Sequence, residues 1–248
     1  MWYDYGRKIV NALFKKRTDS ATICAELGSK VQADSDRSDI RMFETGLSIE
    51  QYGNYKQSTG TAAQESESAR IISIAKANGL FIDKSEWHKF GERKRLPSGE
   101  SIVFINDRED VITKIRNPFA KSVLKELHAY DVIYEHLIHN ILFPNSRYKF
   151  TGISEDSDNV RFILQQRYLS DKFIAPSQTL IDTYLIQGLG LKIENRYYYA
   201  NSYIAITDVS ANSDNVLFDG RQLYFIDPII KFKQPATIVL DYYYKLLK

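Results

Sequence analysis

Residues 206–228 read ITDVSANSDNVLFDGRQLYFIDP, and the reading of the fold starts from them. Two short apolar runs, 216–218 and 223–226, flank Asp219-Gly220. An Asp-Gly step between such runs signals a β-hairpin, because tight hairpin turns need positive φ, which Gly supplies freely and Asp tolerates. Closing that hairpin brings together the residues just outside it, Asn215 and Asp227. An amide oxygen and a carboxylate at the open end of a hairpin suit Mg²⁺, a hard cation that keeps waters or phosphate oxygens in its remaining positions. Asp208 follows the strand-like run YIAIT and can point into the same space. The same residues also suit a plain Asp-Pro turn and an Asn bend. On this segment alone the two readings weigh equally.

Upstream, SIVFI (101–105) and DVITKI (110–115) have strand composition and are joined by Asn106-Asp107-Arg108-Glu109, which predicts a hairpin. Asn117 as cap and Pro118 at the first helical position predict a long helix running to about Leu142. Its apolar stripe is Phe119, Val123, Leu127, Tyr130, Tyr134, Leu137, Ile138 and Ile141. Strands follow around 148–154 and 160–166, with the polar turn EDSDN between them. A second helix is expected over 179–189, closed by Gly188 and Gly190, then extended pieces at 197–201 and 203–206. The tail TIVLDYYYKLLK fits a short strand or a helix.

Before residue 68 the text changes. A short amphipathic helix fits 5–17, and 18–67 is polar, with QYGNYKQSTGTAAQESES reading as a linker. Order resumes at Ser68 with a helical stripe of Ile71, Ile72, Ile74 and Ala75 that stops at Gly79. Strands gathered around one long helix, then a helix with short β-pairs, give an α+β pattern in two lobes. The expected organisation is a polar arm over 1–67, a first lobe over 68–169 and a small second lobe over 170–248.

Composition narrows the function classes. Lys plus Arg number 33 and Asp plus Glu 31, a net charge of +2, so bulk charge does not hold this chain to DNA or membrane. Nucleic acid is accordingly not an expected partner; only the basic cluster GERKRLP (91–97) and the runs Tyr197–Tyr199 and 242–244 speak for one. A single cysteine, Cys24, excludes an internal disulfide and a thiolate zinc site. No apolar run is long enough to span a bilayer. The N-terminus MWYDYGRKIVNALFKKR has its bases after the apolar stretch, the reverse of a secretory signal, so a cytoplasmic chain is expected. His136 and His139 lie three apart on the long helix, but they lack the His-Glu-x-x-His order and a clear third ligand.

Lys114 stands inside the apolar strand VITKI, where a long cation needs either water or a partner. The following helix offers Glu126 and Glu135. A strand lysine paired with a helix carboxylate, upstream of an Asp…Asn…Asp set, resembles a protein-kinase-like phosphotransferase. More narrowly, the chain resembles the kinase-like domains of polyvalent proteins carried by phages and conjugative elements of bacteria. The likeness is carried by LPSGESIVF, VITKI, HNILFP followed by YKFTG, ILQQRYL, and ITD…NVLFDGRQLYFIDP. Together, in order, these cover about 86–233.

The resemblance implies a reduced kinase-like two-lobe fold: a five-stranded N-lobe with one long helix, and a minimal C-lobe. It implies ATP and Mg²⁺ as cofactors, a bacterial cytoplasmic location and an acceptor, protein or small molecule, that the sequence does not identify. Lys114 would contact the α- and β-phosphates, with Glu135 as its helix partner and Glu126 as the alternative. Residues 97–100 would form the turn over the phosphates, Gly99 permitting close backbone approach. Gln166, Tyr168 and Leu169 would lie in the connector that reads adenine. Asp227 would hold Mg²⁺, Asn215 would be the second oxygen ligand, and Asp208 would be the general base.

Three features depart from the family pattern. Protein kinases place the Asn five positions after the catalytic Asp; here Asn215 follows Asp208 by seven, and Ser210 occupies the usual position of the base. Pro228-Ile229 replaces Phe-Gly after the metal Asp, and no multi-glycine loop surrounds residue 97. The stretch after Asp227 is short. An inactive kinase-like nucleotide-binding or protein-interaction module is the alternative expectation.

Overall fold

The structure, a computed structural model, describes residues 61–94, 101–120, 128–169, 173–235, 238–239 and 242–243. The expectations placed on the arm before residue 61, on Gly99 and its turn, and on Glu126 lie outside these residues. The described chain falls into two compact units. One takes in 61–136 and 147–169, the other 137–146 and 173–243.

The first unit opens with helix α1 (Thr61–Ala77). It begins seven residues before Ser68, inside the stretch expected to be linker. Ala, Gln and Glu favour helix however polar the segment is. Its end is as expected: Gly79 takes φ +66°, and the Leu80 N–H donates back to the Ala75 carbonyl at 2.9 Å, the Schellman closure of a helix. A short helical turn, Lys84–Phe90, then buries Trp87, whose indole N–H donates to Ser154 Oγ at 3.0 Å.

Five antiparallel strands follow: β1 (Glu92–Lys94), β2 (Ser101–Asn106), β3 (Val111–Arg116), β4 (Lys149–Asp156) and β5 (Asn159–Arg167). Their order in the sheet is β1-β2-β3-β5-β4. Four of these match runs of strand composition. The fifth, β1, comes from the basic cluster 91–97; its charged side chains suit a sheet edge, where they discourage pairing with another chain. The β4–β5 turn places Ser157 and Asp158 at φ 52° and 64°, the two positive values that a two-residue hairpin turn demands. One face of the sheet packs Phe104, Ile115 and Ile163 against Trp87.

Between β3 and β4 runs helix α2 (Ala129–Leu142). It does not start at Pro118. The Asn117 side chain accepts the Phe119 N–H at 3.0 Å and the Ala120 N–H reaches the Asn117 carbonyl at 3.3 Å, so 118–120 is a turn. The N-terminus of α2 is capped elsewhere. Asp131 accepts the His128 N–H at 3.2 Å, and Glu67 of α1 accepts the Ala129 N–H at 2.8 Å. An Asn-Pro pair is a local signal, whereas this cap comes from 62 residues away.

The second unit contains helix α3 (Gln178–Thr183), capped by Ser177 and continued by one wider turn over Tyr184–Gly188. A four-stranded antiparallel sheet has the order β11-β8-β7-β6, from β6 (Lys192–Asn195), β7 (Tyr198–Ala200), β8 (Ile204–Thr207) and β11 (Ile229–Phe232). β6 and β11 were not expected from the sequence. Lys-Ile-Glu-Asn carries a weak strand pattern, and the Asp-Pro before β11 reads as a turn. The expected hairpin is present as β9 (Val216–Phe218) and β10 (Leu223–Phe225). Beneath it, Phe225 stacks on Phe143 with ring centres 4.3 Å apart, and Tyr184 donates its hydroxyl to the Leu142 carbonyl at 2.6 Å. Burial pushes the Tyr184 hydroxyl up to about 12, so it remains a donor at any physiological pH.

Candidate functional site

Two clusters of chemistry-bearing side chains stand out, one in each unit. The first is built on β3. Strand alternation sends Ile112, Lys114 and Arg116 to the face opposite the Trp87 core. Lys114 sits between Val103 of β2 and Leu164 of β5, which holds its stem among apolar neighbours. Its ammonium donates to the Tyr148 hydroxyl at 3.0 Å and lies 5.2 Å from that ring's centre.

Arg116, two residues on, takes the helix carboxylate: its Nη2 is 3.3 Å from Glu135 Oε2, with both side chains mostly buried. Its Nη1 is 3.1 Å from His136 Nε2. His136 Nδ1 lies 2.6 Å from the Val132 carbonyl and so carries the proton, leaving Nε2 to accept from Arg116. The His136 ring also meets Tyr148 edge-on at 4.7 Å. Thus Glu135 is where a strand cation reaches it, and Arg116 is one that sequence reasoning passed over. The signal was present: Arg116 shares the face of Lys114 by simple alternation. Tyr148 carried none.

Gln166 is buried in β5, on the same face as Lys114. Tyr168 follows the strand and spends its N–H on the Asp110 carbonyl at 2.7 Å; Leu169 comes next, also outside the strand.

The second cluster is set by register. β11 pairs with β8 so that Ile229 faces Thr207. Asp208, one residue past the end of β8, therefore lies beside Pro228, and Asp227 is next to it. β10 pairs with β9 so that Phe225 faces Val216, and the Ile226 N–H donates to the Asn215 carbonyl at 2.7 Å. A bend at Ile226-Asp227 carries the chain from one sheet to the other. These two registers bring Asp208, Asn215 and Asp227 to one end of the unit. The Asn215 side-chain amide also donates to the Asp208 carbonyl at 3.3 Å through its nitrogen, so its oxygen is not used in that bond.

The spacing of seven is absorbed by an extra turn. Ser213 donates its N–H to the Ser210 carbonyl at 3.0 Å and its hydroxyl to the same oxygen at 2.9 Å, while Val209 is fully buried as an anchor. Asp208 itself has φ +61°, a left-handed conformation that Asp tolerates better than most residues, and its side chain is exposed. At the far end of the hairpin, Asp219 accepts the N–H groups of Arg221 and Gln222, both at 2.8 Å. Those bonds hold its carboxyl below the usual carboxylate range. An amide oxygen and an exposed carboxylate fit Mg²⁺, which accepts two protein oxygens and completes its shell from phosphates and water.

The histidines of α2 have other work. His139 Nε2 donates to the Phe225 carbonyl at 2.8 Å, tying the helix to β10. Of the tyrosine runs, Tyr199 and Tyr243 are buried, and Tyr242 stacks on Tyr203 at 3.7 Å.

A sequence model of the family described as "Serine/Threonine/Tyrosine Kinase found in polyvalent proteins" matches residues 64–234, more than half of the chain. The chain belongs to this kinase family. No curated protein and no solved structure matches it. The match to the polyvalent-protein kinases begins within α1 and ends just past β11, so it takes in the residues of both clusters. The mixed helix and antiparallel sheet agree with the α+β expectation. Among the described residues, no helix is long and apolar enough to cross a membrane.

Proposed function

We propose that this kinase-family chain is an ATP- and Mg²⁺-dependent phosphotransferase that acts on a hydroxyl acceptor. The observation that carries the reading is the double register that gathers Asp208, Asn215 and Asp227 at one end of the second unit. Phosphoryl transfer needs charge neutralised on phosphate oxygens and a nucleophile held in line, and little covalent help.

In this reading Asn215 and Asp227 hold Mg²⁺, which supplies charge neutralisation on the phosphate oxygens. Lys114 contributes its ammonium to the α- and β-phosphates, and the Arg116–Glu135 pair fixes the face from which it reaches. Asp208 accepts the acceptor's proton. Adenine is read by backbone groups beside Tyr168, such as those of Leu169, because the Tyr168 amide is already used. The acceptor is a protein or small-molecule hydroxyl, and the setting is the bacterial cytoplasm, in a protein of a mobile genetic element.

A second reading is favoured by one observation, the seven-residue spacing of Asp208 and Asn215: a module that binds nucleotide without transferring phosphate. Labelled ATP separates the two. The first reading expects transfer to an acceptor or to the chain itself, reduced at least about a hundredfold in Asp208→Asn. The nucleotide-induced rise in melting temperature should persist in that variant. Asn keeps the tolerance for positive φ, so the substitution tests chemistry rather than strain. Nucleotide binding with no transfer in the unaltered chain would establish the second reading.

A further inference from the structure

The extra turn between Asp208 and Asn215 is held from outside. The Ala211 N–H donates to Gln178 Oε1 at 2.9 Å. The opposite end of that amide is fixed too. Gln178 Nε2 donates to Asp182 Oδ1 at 2.8 Å and to the Tyr199 hydroxyl at 2.8 Å, and Tyr199 donates to the same Asp182 oxygen at 2.5 Å. Two acceptors therefore face Nε2, and only one orientation of the amide satisfies them; that orientation aims Oε1 at Ala211. The network is anchored at both ends. Gln178 and Asp182 sit one turn apart on α3, and Tyr199 lies in β7, where it pairs with Ile206, two residues before Asp208. Burial, and then the Asp182 carboxylate, push the Tyr199 hydroxyl well above its ordinary value, so it stays a donor.

We infer that Gln178 is a positioning residue for phosphoryl transfer: through Ala211 it fixes the shape of the 208–215 loop, and so the aim of the Asp208 carboxylate. This rests on the phosphotransferase reading above. It also explains how a loop with two extra residues can present its carboxylate in one place. The Gln178 contact joins the buried Val209 anchor and the Asn215 contact in ordering the extra turn.

The test uses the full chain. In Gln178→Ala, hydrogen exchange at the Ala211 amide should rise at least about tenfold, since its bonded acceptor is gone. kcat should fall about tenfold with the KM for ATP unchanged, because nucleotide contacts are untouched. Gln178→Met, which keeps length but not the amide, should behave alike. The double variant Gln178→Glu with Asp182→Asn exchanges donor and acceptor. It should restore both exchange protection and kcat, which a role in packing alone would not do. Unchanged exchange at Ala211 overturns the inference whether or not transfer is detected. Raised exchange with unchanged kcat overturns the positioning role. Absence of transfer in the unaltered chain sinks the phosphotransferase reading instead, and the exchange data then decide the loop claim alone.

Discussion

The two clusters are held in opposite ways. On β3, an antiparallel sheet presents Lys114 and Arg116, and side chains do the organising: a carboxylate and an imidazole from α2 and a phenol just before β4 pin two long cations. In the second unit the organising is done by main chain. Two hairpin registers, a bend at Ile226-Asp227, a left-handed Asp208 and an amide-held turn place three oxygen-bearing residues. Flexible cations suit a triphosphate, whose charge is spread and whose position tolerates small shifts. The roles proposed for the second cluster, metal ligation and proton acceptance, need fixed geometry, and backbone hydrogen bonds give it at lower entropic cost than long side chains do.

The contrast can be broken by substitution. The largest effect is expected at Asp227. Asp227→Ala removes the carboxylate proposed to hold the metal, so transfer should fall by about a thousandfold or more, and the melting-temperature rise with ATP and Mg²⁺ should vanish while the fold persists. Circular dichroism checks the fold and thermal shift the binding. A surviving shift would move the metal site elsewhere.

A smaller effect is expected on the other side. Arg116→Met leaves Glu135 mostly buried without this cation, at a cost of about 1–3 kcal/mol in urea unfolding. The KM for ATP should rise more than kcat falls, because in the proposed reading the loss reaches the phosphates through Lys114. Equal loss of stability and kcat would mean that the cation cluster is as rigid as the oxygen cluster.

The smallest effect concerns pH. The Asp219 carboxyl is held below 3.8 by the turn amides of Arg221 and Gln222. Its contribution is therefore complete above the unfolded value and is lost as pH falls through the lower folded value. Asp219→Asn should flatten the acid limb of the stability curve below about pH 4 and change little at neutral pH.

What the sequence disclosed follows the same division. Asp219-Gly220 announced its hairpin because the turn chemistry is local, and Gly79 announced the end of α1 for the same reason. The pairing of Asn215 with Ile226 was legible from that hairpin alone. The convergence of Asp208 was only suggested, since it depends on β11 pairing with β8, and Asp-Pro masked the start of β11. Long-range partners were hidden. Nothing near Pro118 indicates that Glu67 caps α2, or that Arg116 meets Glu135 at 3.3 Å. Gln178 carries no motif; its role exists only once α3, β7 and the 208–215 loop are packed together.

Asn215 and Asp227 are proposed to hold the metal that accompanies ATP. The direct measurement is anomalous diffraction from crystals grown with Mn²⁺ and a non-hydrolysable ATP analogue. A manganese peak is expected about 2.2 Å from Asn215 Oδ1 and from an Asp227 carboxylate oxygen, with phosphate oxygens completing the shell. A bound nucleotide whose metal sits away from both residues would contradict it.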